Sequence, residues 1–330
     1  MELREIDVKR FNNLASAEPD STIYQTSWWS DYLVDKGAQA MFIEADDNAG
    51  SCVALTMLIL KKESFISGKY TAYAPFGYLI NYFDEPLLSE FHELLVKYLK
   101  DHKISRIEIE PQVNEDNPLV LKALSRNGYV KSDDLSRYEL DIDKYVITSN
   151  DLNIIIKMRS CDDTDIINIL SSGKEAKEYL DIFAHIKDHA TIYAARIDSE
   201  KTKRTIKESV REIRESIDEH ADDYKFAEKN AEKELEIRQL RKKYTALEKF
   251  EKSQGENPYV AAICISDFSD KCTIMFKLNI DDDEMFNVEK IIIDQLCQDY
   301  KVKGVKKIDS RSSFYGSKVN PLIGRFSCKI

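Results

Sequence analysis

Two glutamates in "RIEIEPQV" (106–113), Glu110 and two residues earlier Glu108, are candidates for acid–base work. On a strand, side chains two apart point to the same face, so Glu108 and Glu110 share one. Glu110 directly precedes Pro111 at the predicted strand end. A carboxylate there can take a proton from a reacting group if partial burial raises its pKa. Tyr73 and Tyr82 flank "APFGYLIN" (74–81) and are candidates to line a cleft, although strand aromatics mostly serve the core. Other chemistries find little support. The histidines at 92, 102, 185, 189 and 220 show metal-like spacing only for His185 and His189 at i, i+4, and no third ligand is near. The cysteines at 52, 161, 264, 272, 297 and 328 form no C-x-x-C pair. No G-x-S-x-G, P-loop or dinucleotide fingerprint occurs. Neither a metal nor a cofactor is expected, and covalent catalysis is not indicated.

These residues sit in a chain of 330, of which 43% is hydrophobic, enough for two cores. No run approaches eighteen apolar residues, and "MELREIDVKRF" has acidic residues and no apolar stretch, so a cytoplasmic protein without a spanning helix is expected. Charge is unevenly spread. Residues 199–252 hold 15 basic and 14 acidic side chains, while the rest holds 33 and 45, a net of −12. An acidic body argues against general nucleic-acid binding, so any polyanion must be met locally.

That middle stretch contains neither Gly nor Pro from Lys174 to Gln254, which predicts helix. Ile206, Val210, Ile213 and Ile217 are spaced 4, 3, 4; Ile237, Leu240, Tyr244 and Leu247 are spaced 3, 4, 3. Two seams of about two heptads, separated by "HADDYKFAEKN", predict an antiparallel coiled-coil helical hairpin. It would project about 35 Å at about 1.5 Å per residue. Such a stripe either packs on its own domain or a partner, or contacts a large ligand. Arg238, Arg241, Lys242 and Lys243 in "RQLRKK" are its one dense basic group.

On either side the predicted elements repeat. "AMFIEADDNAGSCVALTMLILKK" reads strand, turn, strand; then come the helix "PLLSEFHELLVKYLKDHK", the strand "ISRIEIEP" and the short helix "LVLKALSRNGYVKS". The strands "ATIYAARID", "YVAAICISD" and "CTIMFKLNI", the helix "EMFNVEKIIIDQLCQDYKVKG" and the strand "VKKIDS" follow the same order. The tight turn "DDNAG" of the first hairpin falls where the second carries the whole arm. We therefore expect a first α/β (α+β) domain at 1–143, a second at 144–330, and the arm at 199–252 as an insertion that leaves the domain beneath undisturbed.

Twice over, this order resembles the GNAT acyltransferase fold. The Gly-rich loop that grips the acetyl-CoA pyrophosphate in ordinary members is missing from both halves, making that donor an unlikely fit. A tandem GNAT-like pair with an inserted helical hairpin resembles the FemABX family of peptidoglycan-bridge aminoacyltransferases. "YQTSWWSDYLVDKG" (24–37), "APFGYLINYFDEPLL" (74–88), "RIEIEPQV" (106–113) and "GVKKIDSRSSFYGS" (304–317) carry the resemblance. It implies transfer of an amino acid from aminoacyl-tRNA to the stem-peptide amine of a peptidoglycan precursor, lipid-linked or UDP-linked. Glu110, with Glu108 as substitute, would take the amine proton; Lys36, Tyr73, Tyr82 and Arg159 would line the substrate site. The arm would steady the tRNA through Arg238, Arg241, Lys242 and Lys243. A homo- or hetero-dimer with a paralogue and a peripheral membrane contact are further expectations. The sequence also departs from the family pattern. The cation of the family's Arg/Lys-Gly-Pro signature is missing at Pro75-Phe76-Gly77, Leu33 stands at a usual Lys position with Lys36 out of register, and the basic segment shrinks to "NIIIKMRSCDD". These departures raise the alternative of a catalytically degenerate relative that binds or regulates an active paralogue.

Overall fold

The helices begin where the sequence supplies caps. Thr26 accepts from the amide of Trp29, Asp84 from Leu87, Asn117 from Val120 and Asp198 from Lys201. Each side chain satisfies an amide that the first helical turn leaves unpaired. In the helix begun by Asp84, Leu88, Phe91, Leu95 and Leu99 recur at helical spacing and are fully buried. Burying a side chain of this kind contributes about 1.5–3 kcal/mol.

The computed structural model describes residues 1–19, 21–63, 68–115, 117–147, 164–220, 224–255, 257–269, 271–279 and 288–330. The first half runs β1 (Glu2–Glu5), α1 (Val8–Ala17), α2 (Ser27–Asp35), β2 (Gln39–Asp46), β3 (Cys52–Lys62), β4 (Tyr70–Ala74), β5 (Leu79–Ile80), α3 (Glu85–Asp101), β6 (Ile104–Ile109), α4 (Pro118–Arg126) and β7 (Val130–Asp141). The second half runs α5 (Asp165–Leu170), α6 (Gly173–Ile186), β8 (Ala190–Arg196), α7 (Ser199–Asp218), α8 (Ala227–Gln254), β9 (Tyr259–Phe268), β10 (Lys271–Leu278), α9 (Val288–Val302), β11 (Lys307–Ser310) and β12 (Lys318–Lys329). Leaving aside α7, α8 and the two-residue β5, two helices, three strands, a helix and a strand recur in the same order. In each half the strand before the long helix is parallel to the strand after it, β4 with β6 and β10 with β11.

All the strands join in one mixed sheet, ordered β1-β2-β3-β4-β6-β12-β7-β11-β10-β9-β8, with β5 paired to β3. The sequence does not announce β7 or β12. β7, "VKSDDLSRYELD", is largely exposed and lacks apolar alternation, while β12 contains Pro321 and Gly324. β12 pairs antiparallel with both β6 and β7, so its strand pairing lies in the sheet of the first half. A boundary at 143/144 therefore does not separate the strands cleanly.

One core beneath α3 and α4 includes Leu58, Phe91, Leu95 and Ile107. Another, beneath α9, includes Ile265, Ile274, Ile292 and Ile308. The third joins the halves: Phe11, Ile23 and Phe42 pack in one cluster with Ile167, Phe183 and Ile192. α7 leaves the sheet two residues after β8, and α8 returns shortly before β9; Arg196 and Tyr259 still pair across the gap. The helices run antiparallel, since Lys203 pairs with Glu251 and Lys233 Nζ donates to Ser216 Oγ at 2.6 Å. Ile206, Ile237 and Leu247 are buried between or below them.

Candidate active site

The loop between β4 and β5 turns on two left-handed residues, Phe76 (φ 57°) and Gly77 (φ 77°). A Cβ on Gly77 would stand 2.6 Å from Tyr82 Oη and 3.0 Å from Pro111 Cα, so only glycine lets the loop lie against the end of β6. Buried Gln25 fixes it, donating through Nε2 to the carbonyls of Phe76 (3.3 Å) and Gly77 (3.1 Å). Tyr82 Oη accepts from the amide of Tyr78 at 2.8 Å. The Phe76 ring is thereby stacked on Tyr24, with centroids 4.7 Å apart.

Arg311, just beyond β11, lays its guanidinium over both rings, 4.3 Å from the Phe76 centroid and 5.0 Å from that of Tyr24. It also donates from Nη2 to Glu110 Oε2 at 2.7 Å. Arg325 reaches the other carboxylate oxygen, with Nε at 2.9 Å and Nη2 at 2.5 Å from Oε1. Arg325 is turned there by a register shift in β12 beside Gly324 (φ 115°), where a Cβ would come 2.5 Å from the Asp133 carbonyl. Bulges commonly re-aim a side chain in this way.

Glu110 is buried, and burial alone would push its carboxyl up. The charge of Arg311 and hydrogen bonds from Arg325 and Tyr73 prevail, holding it below the usual glutamate range. The condition under which Glu110 would serve as a base, a raised pKa, is not met. Glu108 is half-buried, 3.9 Å from Arg106 and opposite Tyr73 in the sheet. Tyr73 hydrogen-bonds with Glu110 and Arg311, and burial pushes its phenol up.

A cavity of about 430 Å³ opens beside this cluster, lined by Tyr24, Phe76, Glu110, Arg137, Asp309 and Arg311 among others. Its walls come from both halves. Asp309 is buried on β11 and faces Thr273 of β10 and Glu139 of β7. Burial pushes its carboxyl up despite a hydrogen bond with Thr273. Arg137 of β7 donates from Nη1 to Gln112 Oε1 (3.1 Å) and from Nη2 to Glu139 Oε1 (2.9 Å). A second cavity, about 660 Å³, adjoins the first and shares Phe76, Gln112 and Arg137; Tyr82 lines it.

Other residues expected at the site lie elsewhere. Lys36 rests its Nζ 4.6 Å from the Tyr32 ring centre and lines a separate cavity with Lys61 and Lys62. Arg159 falls outside the described residues. On α8, Arg238, Arg241 and Lys242 share an open groove with Lys249 and Phe250, while Lys243 does not line it. Among the described residues, Glu44, Asp46 and Cys52 are clustered closely enough to hold a cation. Glu44 is already gripped by Arg10, Nε 2.6 Å and Nη2 2.5 Å away, and Asp46 by Arg4 at 2.5 Å. Those guanidiniums supply the positive charge a metal would bring.

Tyr24, Arg137, Asp309, Arg311 and Arg325 were not expected at the site from the sequence. Asp309 and Arg311 lie in "GVKKIDSRSSFYGS", whose likeness to a family segment was the available signal.

The fold and site define a mixed α/β protein whose charged cavity lies at the junction of two similarly ordered halves. Over its full length this fold is shared with the crystal structure of FemX, at TM-score 0.71 and 14% identity, covering 100% of this chain and 98% of that one. Residues 6–120 match the model of the FemAB family. The whole chain thus shares the fold of FemX, and its first third resembles the FemAB family. More distant likenesses are a GCN5-related N-acetyltransferase from Sphaerobacter thermophilus (TM-score 0.44, 9% identity, covering 99% of this chain and 95% of that one) and L-PGS from Bacillus licheniformis (TM-score 0.42, 9% identity, covering 93% and 79%). No curated protein sequence matches the chain.

Proposed function

We propose that the chain is an aminoacyltransferase that moves an amino acid from aminoacyl-tRNA to the side-chain amine of a peptidoglycan stem peptide, building an interpeptide bridge. Its two halves are read as tandem GNAT-like domains and its helical pair as a coiled-coil arm that steadies the tRNA. The observation that carries this reading is the cavity at the junction of the halves, walled by β7, β10, β11 and the segment just after β6 and rich in ionisable groups. An aminoacyl ester is already activated, so holding ester and amine together supplies much of the rate, and a sparse apparatus suffices. Glu110 serves this reading as the anion that fixes Arg311 at the cavity wall, with Arg325 on its other oxygen. Mixing the protein with a pool of charged tRNAs and soluble and lipid-linked stem-peptide precursors tests it. The precursor should gain the mass of one amino-acid residue; an unchanged mass, with a working family enzyme in the same mixture, would sink the reading.

One observation favours the second reading, a non-catalytic relative that pairs with an active paralogue. Both Glu110 oxygens are engaged by arginines, as in a structural ion pair. The same transfer assay separates the two.

A further inference from the structure

Among the groups lining the 430 Å³ cavity, Arg311 is both held in place and open, with 43% of its side-chain surface accessible. Tyr24 and Phe76 stack 6° from parallel, and the guanidinium rests 4.3 Å from the Phe76 centroid and 5.0 Å from that of Tyr24. Glu110 anchors Nη2 at 2.7 Å. A guanidinium carries five N–H donors. Among the described residues Glu110 and Tyr73 hydrogen-bond with it, so donors are left over. Charge is left over as well. Glu110 is shared with Arg325, which does not line the cavity, so one carboxylate faces two cations. The other charged side chains of the lining are matched or pushed toward neutrality: Arg137 is paired with Glu139 and Asp134 with Lys131, and burial pushes the Asp309 carboxyl up. The wall thus presents one excess positive charge, on a planar fork fixed by its neighbours.

We propose that Arg311 anchors a free carboxylate of the acceptor peptide, and so helps to set which acceptors the protein takes. This rests on the aminoacyltransferase reading above. An arginine fork matches a carboxylate edge to edge, and a fork already held by packing loses little freedom on binding. Of the two substrates, the acceptor is the one that fits. In an aminoacyl ester the α-carboxyl of the amino acid is consumed in the ester, whereas a peptide ends in a single carboxylate. The phosphates of a tRNA form a closely spaced row of charges, and neutralising them takes concentrated Lys and Arg. Here one excess positive charge stands near the acidic side chains of Asp134 and Asp309, which would repel such a row. The adjoining 660 Å³ cavity shares Phe76, Gln112 and Arg137 and leaves room for the rest of the peptide.

Calorimetric titration with two forms of the stem peptide, the free acid and one with every carboxylate converted to a carboxamide, tests the anchor without relying on turnover. Wild type should bind the free acid about 10–100-fold more tightly, the range for a hydrogen-bonded charge pair. That comparison needs no variant to fold. Arg311→Gln should lose the preference, and Arg311→Lys should keep part of it, since lysine retains the charge without the fork. In the transfer assay Arg311→Gln should raise KM for the acceptor and leave KM for aminoacyl-tRNA near that of wild type. Equal binding of the two forms by wild type, or none of either, overturns the proposal. So does a rise confined to the KM for aminoacyl-tRNA, which would assign Arg311 to a tRNA phosphate. Wild type that prefers the free acid yet transfers nothing overturns the aminoacyltransferase reading and leaves Arg311 as a carboxylate site.

Discussion

Arg311 and Glu110 lie 201 residues apart in sequence and 2.7 Å apart in space, an ion pair that ties β11 of the second half to the end of β6 in the first. With Arg325 on the opposite oxygen, one buried carboxylate fixes two cations. Removing one partner of a buried pair typically costs about 3–5 kcal/mol. Both arginines keep partial solvent contact, 43% and 32% by side chain, which lowers the figure here. Glu110→Gln should therefore cost about 2–3 kcal/mol. Because the folded carboxyl is held low, its contribution is present above the unfolded glutamate pKa and is lost as pH falls through the folded one. Thermal melting of wild type and variant should show the gap closing in acid.

Asp309 carries the opposite sign. Its folded pKa is raised, so its stability contribution is full below the unfolded aspartate pKa and is lost as pH rises through the folded value. Above that point the native state bears the cost of a buried charge. Asp309→Asn should then melt higher than wild type at neutral pH and about equally in acid, a comparison made by calorimetry over the same buffers.

Gly77 permits the contact between the β4–β5 loop and Pro111. In Gly77→Ala the new methyl meets Tyr82 Oη at 2.6 Å, Pro111 Cα at 3.0 Å and the Glu110 carbonyl at 3.1 Å, at a φ of 77°. Backbone and packing strain together should cost about 2–4 kcal/mol. Chemical denaturation should show a fall in the midpoint with little change in slope.

Whether the arm meets tRNA depends on which face of α8 is basic. Arg238, Arg241 and Lys242 line one groove with Lys249; Lys243 does not. If the groove meets tRNA phosphates, replacing the first three with glutamine should weaken binding and flatten the dependence of log K on log salt by about 0.7–0.9 for each phosphate no longer neutralised. Lys243→Gln should leave the slope near that of wild type. Filter binding across a salt series reads both.

Lys36 provides a contrast. Its Nζ sits against Tyr32, away from the Glu110 cavity. Lys36→Ala should leave kcat for transfer unchanged, and a large drop would place this lysine in the reaction after all.

Local regularity explains how much the sequence revealed. The hairpin β2–β3, the helices α3 and α9, and the insertion of α7 and α8 between β8 and β9 were legible from apolar spacing and the missing Gly and Pro. Glu110 was legible from its place before Pro111. What escaped depends on long-range pairing. β7 presents mostly exposed residues, and β12 is interrupted by Pro321 and a bulge at Gly324, so neither has the alternation of a half-buried strand. Without β12 there was no means of seeing that Arg325 returns to Glu110, 215 residues earlier. Glu110 was found by its strand end, whereas its depressed pKa comes from partners that no local pattern names.

The proposed transfer is tested most directly by precursor-dependent deacylation. With enzyme in excess over bulk aminoacyl-tRNA, ester loss is followed by acid quench as stem-peptide precursor is added, and the precursor is weighed by mass spectrometry at each point. Ester loss should accelerate with precursor and match, mole for mole, the appearance of precursor heavier by one amino-acid residue. Esters that decay at the same rate with and without precursor, with no heavier product, would contradict an aminoacyltransferase.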